Sequence, residues 1–211
     1  MHNRNRVAGM HLRDAASPVP VRVYWPGEDQ LAPLLVFCAA GAGAGADASC
    51  RALSSAAGLV VLSVRCDVTD GHHGTVVLEW AAEHGAELTA DPARLLVAGE
   101  GAGAVAAAAV VLAAAGRGWP AVTRQVLIDP GTIGWPAAAG LPAATVVTVP
   151  GRPGGDGGRY AGRLRSARVP VREVRCSAPD LTSGKALAAV ARSIRVSLAD
   201  ESWPPATSCD V

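Results

Sequence analysis

Leu95-Leu96-Val97-Ala98-Gly99-Glu100-Gly101-Ala102-Gly103-Ala104-Val105-Ala106-Ala107 decides how the chain is read. Leu95 to Ala98 is an unbroken apolar run, the pattern of a strand buried on both faces. Three glycines in five residues follow, and only a sharp turn accommodates them. The alanine-rich stretch beyond has the strongest intrinsic helix preference in the chain. Strand, tight turn and helix in thirteen residues predict the central crossover of an α/β domain.

The rest of the composition bounds the answer. A chain of 211 residues is long enough for one α/β domain. Half of it is hydrophobic but only 4% is aromatic, so the core must be built from Ala, Val and Leu. A formal net charge of +1 gives no footprint for nucleic acid or an acidic membrane. No apolar stretch is long enough for a membrane span; Ala104 to Ala115 comes closest and reads as a core helix. The polar start, Met1 to Arg6, lacks the apolar centre of a signal peptide, so a cytoplasmic location is expected. Cys38, Cys50, Cys66, Cys176 and Cys209 are odd in number and widely spaced, which predicts reduced thiols and no zinc site.

Outward from the central stretch, strands and helices alternate. Val7 to Arg13 and Val19 to Trp25 read as a hairpin. Leu34 to Phe37, Leu59 to Val64, Gln125 to Ile128, Ala144 to Val149 and Val169 to Arg175 read as strands. Helices are predicted over Asp47–Ala57, Thr75–Glu87, Arg159–Ala167 and Ser183–Leu198, with Asp67 to Gly74 a polar loop. The predicted fold is α/β: a mostly parallel central sheet flanked by helices. Residues 1–20 read as an N-terminal tail and hairpin start, 21–200 as a single domain, and 201–211 as a C-terminal tail.

Val21-Arg-Val-Tyr-Trp-Pro26, Pro33-Leu-Leu-Val-Phe37, Trp80-Ala-Ala-Glu-His84, Asp91-Pro-Ala-Arg-Leu95, Val97-Ala-Gly99, Gln125-Val-Leu-Ile128 and Val169-Pro-Val171 follow one another in a known order. In that order the chain resembles the hormone-sensitive-lipase-like esterases of the α/β-hydrolase fold. The resemblance covers most of the chain from Val21 to about Arg175. It implies a carboxylesterase with a nucleophile elbow, G-x-S-x-G, on the strand–turn–helix. The chain departs from that pattern where the chemistry lies. Gly101 stands at the nucleophile position, and Cys38-Ala39-Ala40-Gly41 replaces His-Gly-Gly-Gly. Arg152 or Asp156 stands at the acid position, and no histidine follows the last strand. The family's cap segment is reduced to a short tail, so a cap-less domain is expected.

A serine is activated by a histidine that an acid orients, and here all three are missing. The leading expectation is a degenerate, esterase-dead member of the fold that binds a small acyl or aromatic ligand, or a protein partner. Its expected ligand-binding residues are Cys38, Ala39, Ala40, Gly41, Gly101 and Ala102, whose backbone N–H groups suit an anionic oxygen. The alternative is a non-hydrolytic acid/base enzyme, a cyclase or lyase, using Glu100, Asp67, His72 or His73. A third reading is dinucleotide binding: Gly99-x-Gly101-x-x-Ala104 with Asp129, and Gly41-x-Gly43-x-x-Ala46 with Asp67, satisfy its fingerprint. No cofactor, metal, nucleic acid or membrane partner is called for. Glu100 bonded to loop backbone, an inert Cys38 thiol and a solvated row of arginines from Arg159 to Arg175 are the plain structural readings of those residues.

Overall fold

The computed structural model describes residues 6–15, 17–27, 31–40, 44–67, 71–134, 136–137, 139–151, 155–177 and 185–199. In chain order the elements are β1 (Arg6–Leu12), β2 (Val19–Trp25), β3 (Ala32–Ala39), α1 (Ala44–Ala57), β4 (Val60–Arg65) and α2 (His72–His84). β5 (Ala90–Glu100), α3 (Ala102–Arg117), β6 (Val122–Ile128), β7 (Ala143–Thr148), α4 (Gly157–Ser166), β8 (Val171–Arg175) and α5 (Lys185–Ala199) complete them. One eight-stranded sheet has the order β1-β2-β4-β3-β5-β6-β7-β8. β1 and β2 pair antiparallel, β2 joins β4 antiparallel, and every pairing from β4 to β8 is parallel.

Parallel strands need covering on both faces, and the two faces divide the core. On one side α2, α3 and α4 cover Leu34, Val36, Val97, Leu127 and Val146 with Val77, Leu78, Val110, Tyr160 and Leu164. On the other side α1 and α5 cover Leu35, Phe37, Leu96, Ala98 and Val126 with Leu53, Val190 and Ile194. The connection from β3 runs one way across the sheet and the connection from β5 runs the other. A crevice therefore opens between the C-terminal ends of β3 and β5, the place where open α/β sheets take ligands. Dinucleotide-binding folds run their first three strands in reverse order. This sheet, with β4-β3-β5-β6 in line, does not.

α3 shows how composition sets position. Nine of its residues, mostly alanine, are buried, so it is apolar all round and lies at the centre of its face. Close approach to the sheet is enforced by glycine. A Cβ on Gly103 would lie 2.2 Å from the Cys38 carbonyl oxygen, and one on Gly99 2.2 Å from the Gly103 carbonyl oxygen.

Several boundaries differ from the sequence reading by two or more residues, and two of them have a clear cause. α2 begins at His72, three residues early, because Gly71 adopts a left-handed φ of 65° and turns the chain straight into the helix. β5 begins at Ala90 rather than Leu95. The register against β3 jumps between Pro33 and Leu34, so Pro92, Ala93 and Arg94 form an irregularity closed by Asp91, which accepts from Ala93 N–H and Arg94 Nε.

α1 is tied down by one carboxylate. Asp47 accepts hydrogen bonds from Tyr24 Oη at 2.8 Å, Arg51 Nε at 2.7 Å and Arg22 Nη1 at 3.1 Å. Arg51, then Tyr24 and Arg22, hold the Asp47 carboxyl below its ordinary range despite some burial. Burial, then the bond to Asp47, pushes the Tyr24 hydroxyl up to about 12.

Among the described residues no helix is long and apolar enough to cross a membrane, and no three metal-ligating side chains come together.

Candidate functional site

The turn between β5 and α3 sits at the crevice. Gly101 has φ 56° and ψ −120°, a backbone that side-chain-bearing residues adopt only under strain. Its N–H donates to the Ile128 carbonyl at 2.9 Å, and its own carbonyl accepts from Ala104 N–H at 3.1 Å. A Cβ built on Gly101 would meet no atom within 4 Å. The turn is thus held from both sides while the direction in which a side chain would project is open. Ala102 is the first residue of α3, where amides have no intrahelical acceptor. The Ala40 nitrogen lies 3.3 Å from the position of a Gly103 Cβ, so the end of β3 borders the same first turn. Ala39 is buried toward α1, and Ala40 is exposed. These N–H groups and the positive end of α3 suit a carbonyl or carboxylate oxygen. Gly41 and Gly43 lie outside the described residues, as does Arg152.

Among the described residues Glu100 bonds to a side chain and not to loop backbone. It follows Leu96 and Ala98 in the two-residue alternation of β5 and so faces α1. There it accepts from the buried Ser49 hydroxyl at 2.7 Å. Ser49→Ala should leave the half-buried carboxylate without this donor, at a cost of about 1–2 kcal/mol. For a domain of this size that is a fall of roughly 2–8 °C in the melting temperature, read by calorimetry. Replacing both partners, Ser49→Ala with Glu100→Gln, should recover part of the loss, since no charge is then stranded.

Cys38 lies on the opposite face of its strand from that expected of a crevice residue. It alternates with Leu34 and Val36, is fully buried, and points beneath α2. Its Sγ and that of Cys66 both lie close to the place a Gly74 Cβ would occupy, at 3.1 and 3.0 Å. The neighbouring Cys66 thiol, then burial, raises the Cys38 thiol well above its ordinary value, the reverse of an activated nucleophile. Cys50 and Cys176 are also buried and in no disulfide among the described residues; Cys209 lies outside the described residues.

The two histidines stand in the first turn of α2, not in a loop. His72 Nε2 is 3.1 Å from Asp14 Oδ2, which ties the β1–β2 connection to the helix. His73 Nδ1 is 3.2 Å from the Arg65 carbonyl oxygen. Asp67 is exposed at the end of β4, and its carbonyl accepts from Gly71 N–H. Glu100, His72 and His73 are thus each engaged with a different part of the scaffold.

Beside Gly101 the described residues place another acid, Asp129. It is 7% exposed and has a φ of 45°. Its N–H donates to the Val147 carbonyl, and the next residue, Pro130, accepts from Asp156 N–H. Asp129 therefore sits where the ends of β5, β6, β7 and the start of α4 meet. The sequence reading had given it only a ribose-binding role. Asp156 caps α4 in position, and its carboxylate is 3.3 Å from Arg159 Nε.

Comparison with known proteins agrees with this geometry. A family model described as alpha/beta hydrolase fold matches residues 36–141, half of the chain. Esterase LipI of Mycobacterium tuberculosis is 30% identical over 148 residues, covering 63% of this chain and 46% of that protein. The chain spans about half the length of the curated relatives it matches. Among solved structures, esterase LipW of Mycobacterium marinum superposes with a TM-score of 0.81 at 25% identity, covering 94% of this chain and 84% of that one. The hyperthermophilic esterase of the archaeon Pyrobaculum calidifontis superposes with a TM-score of 0.80 at 24% identity, covering 92% and 87%. The sheet order, the strand–turn–helix at Gly101 and the family match over residues 36–141 agree, and the chain belongs to the α/β-hydrolase fold family.

Proposed function

We propose that the chain is a non-catalytic relative of the hormone-sensitive-lipase-like esterases, whose elbow receives the carbonyl or carboxylate end of a small acyl ligand. The observation that carries this reading is Gly101. Its backbone has the strained conformation of an elbow, its surroundings leave room for a side chain, and the residue has none. Without a hydroxyl at that point there is no group to form an acyl-enzyme, whatever base stands nearby. What remains is a fixed turn with donors at the start of a helix, which favours negative oxygen. The acid/base alternative gains nothing from Glu100, His72 or His73, because each is bonded to the scaffold.

Two measurements test the reading. The purified chain should hydrolyse p-nitrophenyl butyrate no faster than a heat-treated control. Butyrate, titrated by NMR, should show saturable shifts in the amides around Ala102. Ala102→Pro removes one donor at the first helical position, where proline is tolerated, and should weaken those shifts about tenfold while the fold stays intact. Ester turnover by the native chain would contradict the loss of catalysis. Absence of saturable shifts, or indifference to Ala102→Pro, would contradict the binding role.

A further inference from the structure

We propose a second ligand site on the outer face of α4, for a small organic anion with an apolar body. Arg159, Gly162, Arg163 and Ser166 recur at helical spacing on that face. With Ala137, from the segment between β6 and β7, and Ala167 they line an open groove of about 660 Å³. That volume is within the range of small-molecule sites. Gly162 leaves the floor flat, since a Cβ there would meet nothing within 4 Å.

Charge says what occupies it. Residues 156–175 hold six arginines (159, 163, 165, 168, 172 and 175) and only two acids, Asp156 and Glu173, a local excess of four in a chain whose net charge is +1. Glu173 is engaged with Arg165 and Arg175, and Asp156 with Arg159. Arg163 forms no ion pair among the described residues. Its guanidinium is held in place instead: it donates through Nη2 to the Ile133 carbonyl and lies 5.2 Å from the centre of the Tyr160 ring. A fixed guanidinium keeps forked donors that match an oxyanion, and less freedom is lost when it binds. Arg159, one turn away and 85% exposed at its side chain, can close over the same head group. The Ser166 hydroxyl already donates to the Gly162 carbonyl and so supplies no donor. Ala137, Gly162 and Ala167 leave the rest of the groove to an apolar body. The ligand class is therefore an organic phosphate or carboxylate with a small hydrophobic part. The site is independent of the elbow.

Calorimetric titration of the whole chain with phenyl phosphate, benzoate and inorganic phosphate tests this. Phenyl phosphate or benzoate should bind saturably, and the tighter of the two identifies the head group. Inorganic phosphate should bind more weakly than phenyl phosphate, because it lacks the body. Arg163→Gln should weaken binding about tenfold, the loss of one charge-assisted bond. Arg159→Gln, at an 85% exposed side chain whose single ion pair, with Asp156, is a surface one, should weaken it about threefold and leave the melting temperature nearly unchanged. The part of the binding that is lost in Arg163→Gln should be unchanged by Ala102→Pro at the elbow. No saturable binding up to about 10 mM ligand, equal affinity for inorganic phosphate, or binding indifferent to Arg159→Gln would overturn the proposal.

Discussion

Gly103→Ala is expected to destabilise the protein by about 3 kcal/mol or more, a fall of roughly 6–12 °C in the melting temperature. The added methyl would lie 2.2 Å from the Cys38 carbonyl oxygen and 3.3 Å from the Ala40 nitrogen. Both are backbone atoms, the first in β3 and the second in the residue that follows it, and β3 is paired on each side and cannot step aside without breaking ladder bonds. α3 would have to lift from the sheet, and its buried alanines would lose contact along the whole helix. Gly116→Ala, in the last turn of the same helix, gives the contrast. A Cβ there meets nothing within 4 Å, so the change should stabilise by about 0.5–1 kcal/mol. Thermal unfolding of the two variants beside the native chain measures both. A Gly103→Ala variant as stable as the native chain would mean that α3 does not pack against β3 as described.

The second large effect is spectroscopic. The chain has two tyrosines, Tyr24 and Tyr160, each 1% exposed. Burial, then Asp47, raises Tyr24 to about 12, and burial raises Tyr160. At a pH where the unfolded chain, with ordinary tyrosines near 10, is largely ionised, Tyr24 should remain mostly protonated in the native protein, and Tyr160 should ionise later than an ordinary tyrosine. The linkage has a definite sign. A phenol that keeps its proton longer when folded contributes stability that is complete below the unfolded value of about 10. That stability is lost as pH rises toward the folded value of about 12. In a Tyr160→Phe variant the Tyr24 phenolate signal should accordingly rise together with loss of helical circular dichroism, not before it. A Tyr24 that titrates near pH 10 in that folded variant would contradict its burial against Asp47.

The fold was legible because its strands are covered on both faces. Leu34 to Phe37 and Leu59 to Leu62 are continuous apolar runs, and the alanines after Gly103 leave little alternative to a helix. The ends were less legible. Gly71 sets where α2 begins, yet nothing in Asp67 to Gly74 says which glycine turns left-handed. At the site, the sequence reading missed two side-chain directions that strand alternation sets. Cys38 shares its face with Leu34 and Val36, and Glu100 shares its face with Leu96 and Ala98, so the thiol lies under α2 and the carboxylate under α1. The partners were not legible. Ser49 meets Glu100 across 51 residues and Asp14 meets His72 across 58, and such pairings are set by tertiary packing. Nor does Asp129-Pro130 announce in sequence that Asp129 takes a positive φ beside the elbow, although aspartate tolerates that region better than most residues.

Gly101→Ser tests the central claim most directly. The serine Cβ has space, and φ 56° costs it about 1 kcal/mol relative to glycine, so the variant should fold with a slightly lower melting temperature. Triad members act as a unit, and a serine without a positioned histidine recovers little. Both chains should remain unlabelled by a fluorophosphonate probe and inert toward p-nitrophenyl esters. A Gly101→Ser chain that is labelled and turns over esters would show that a general base faces the elbow, and would contradict the account.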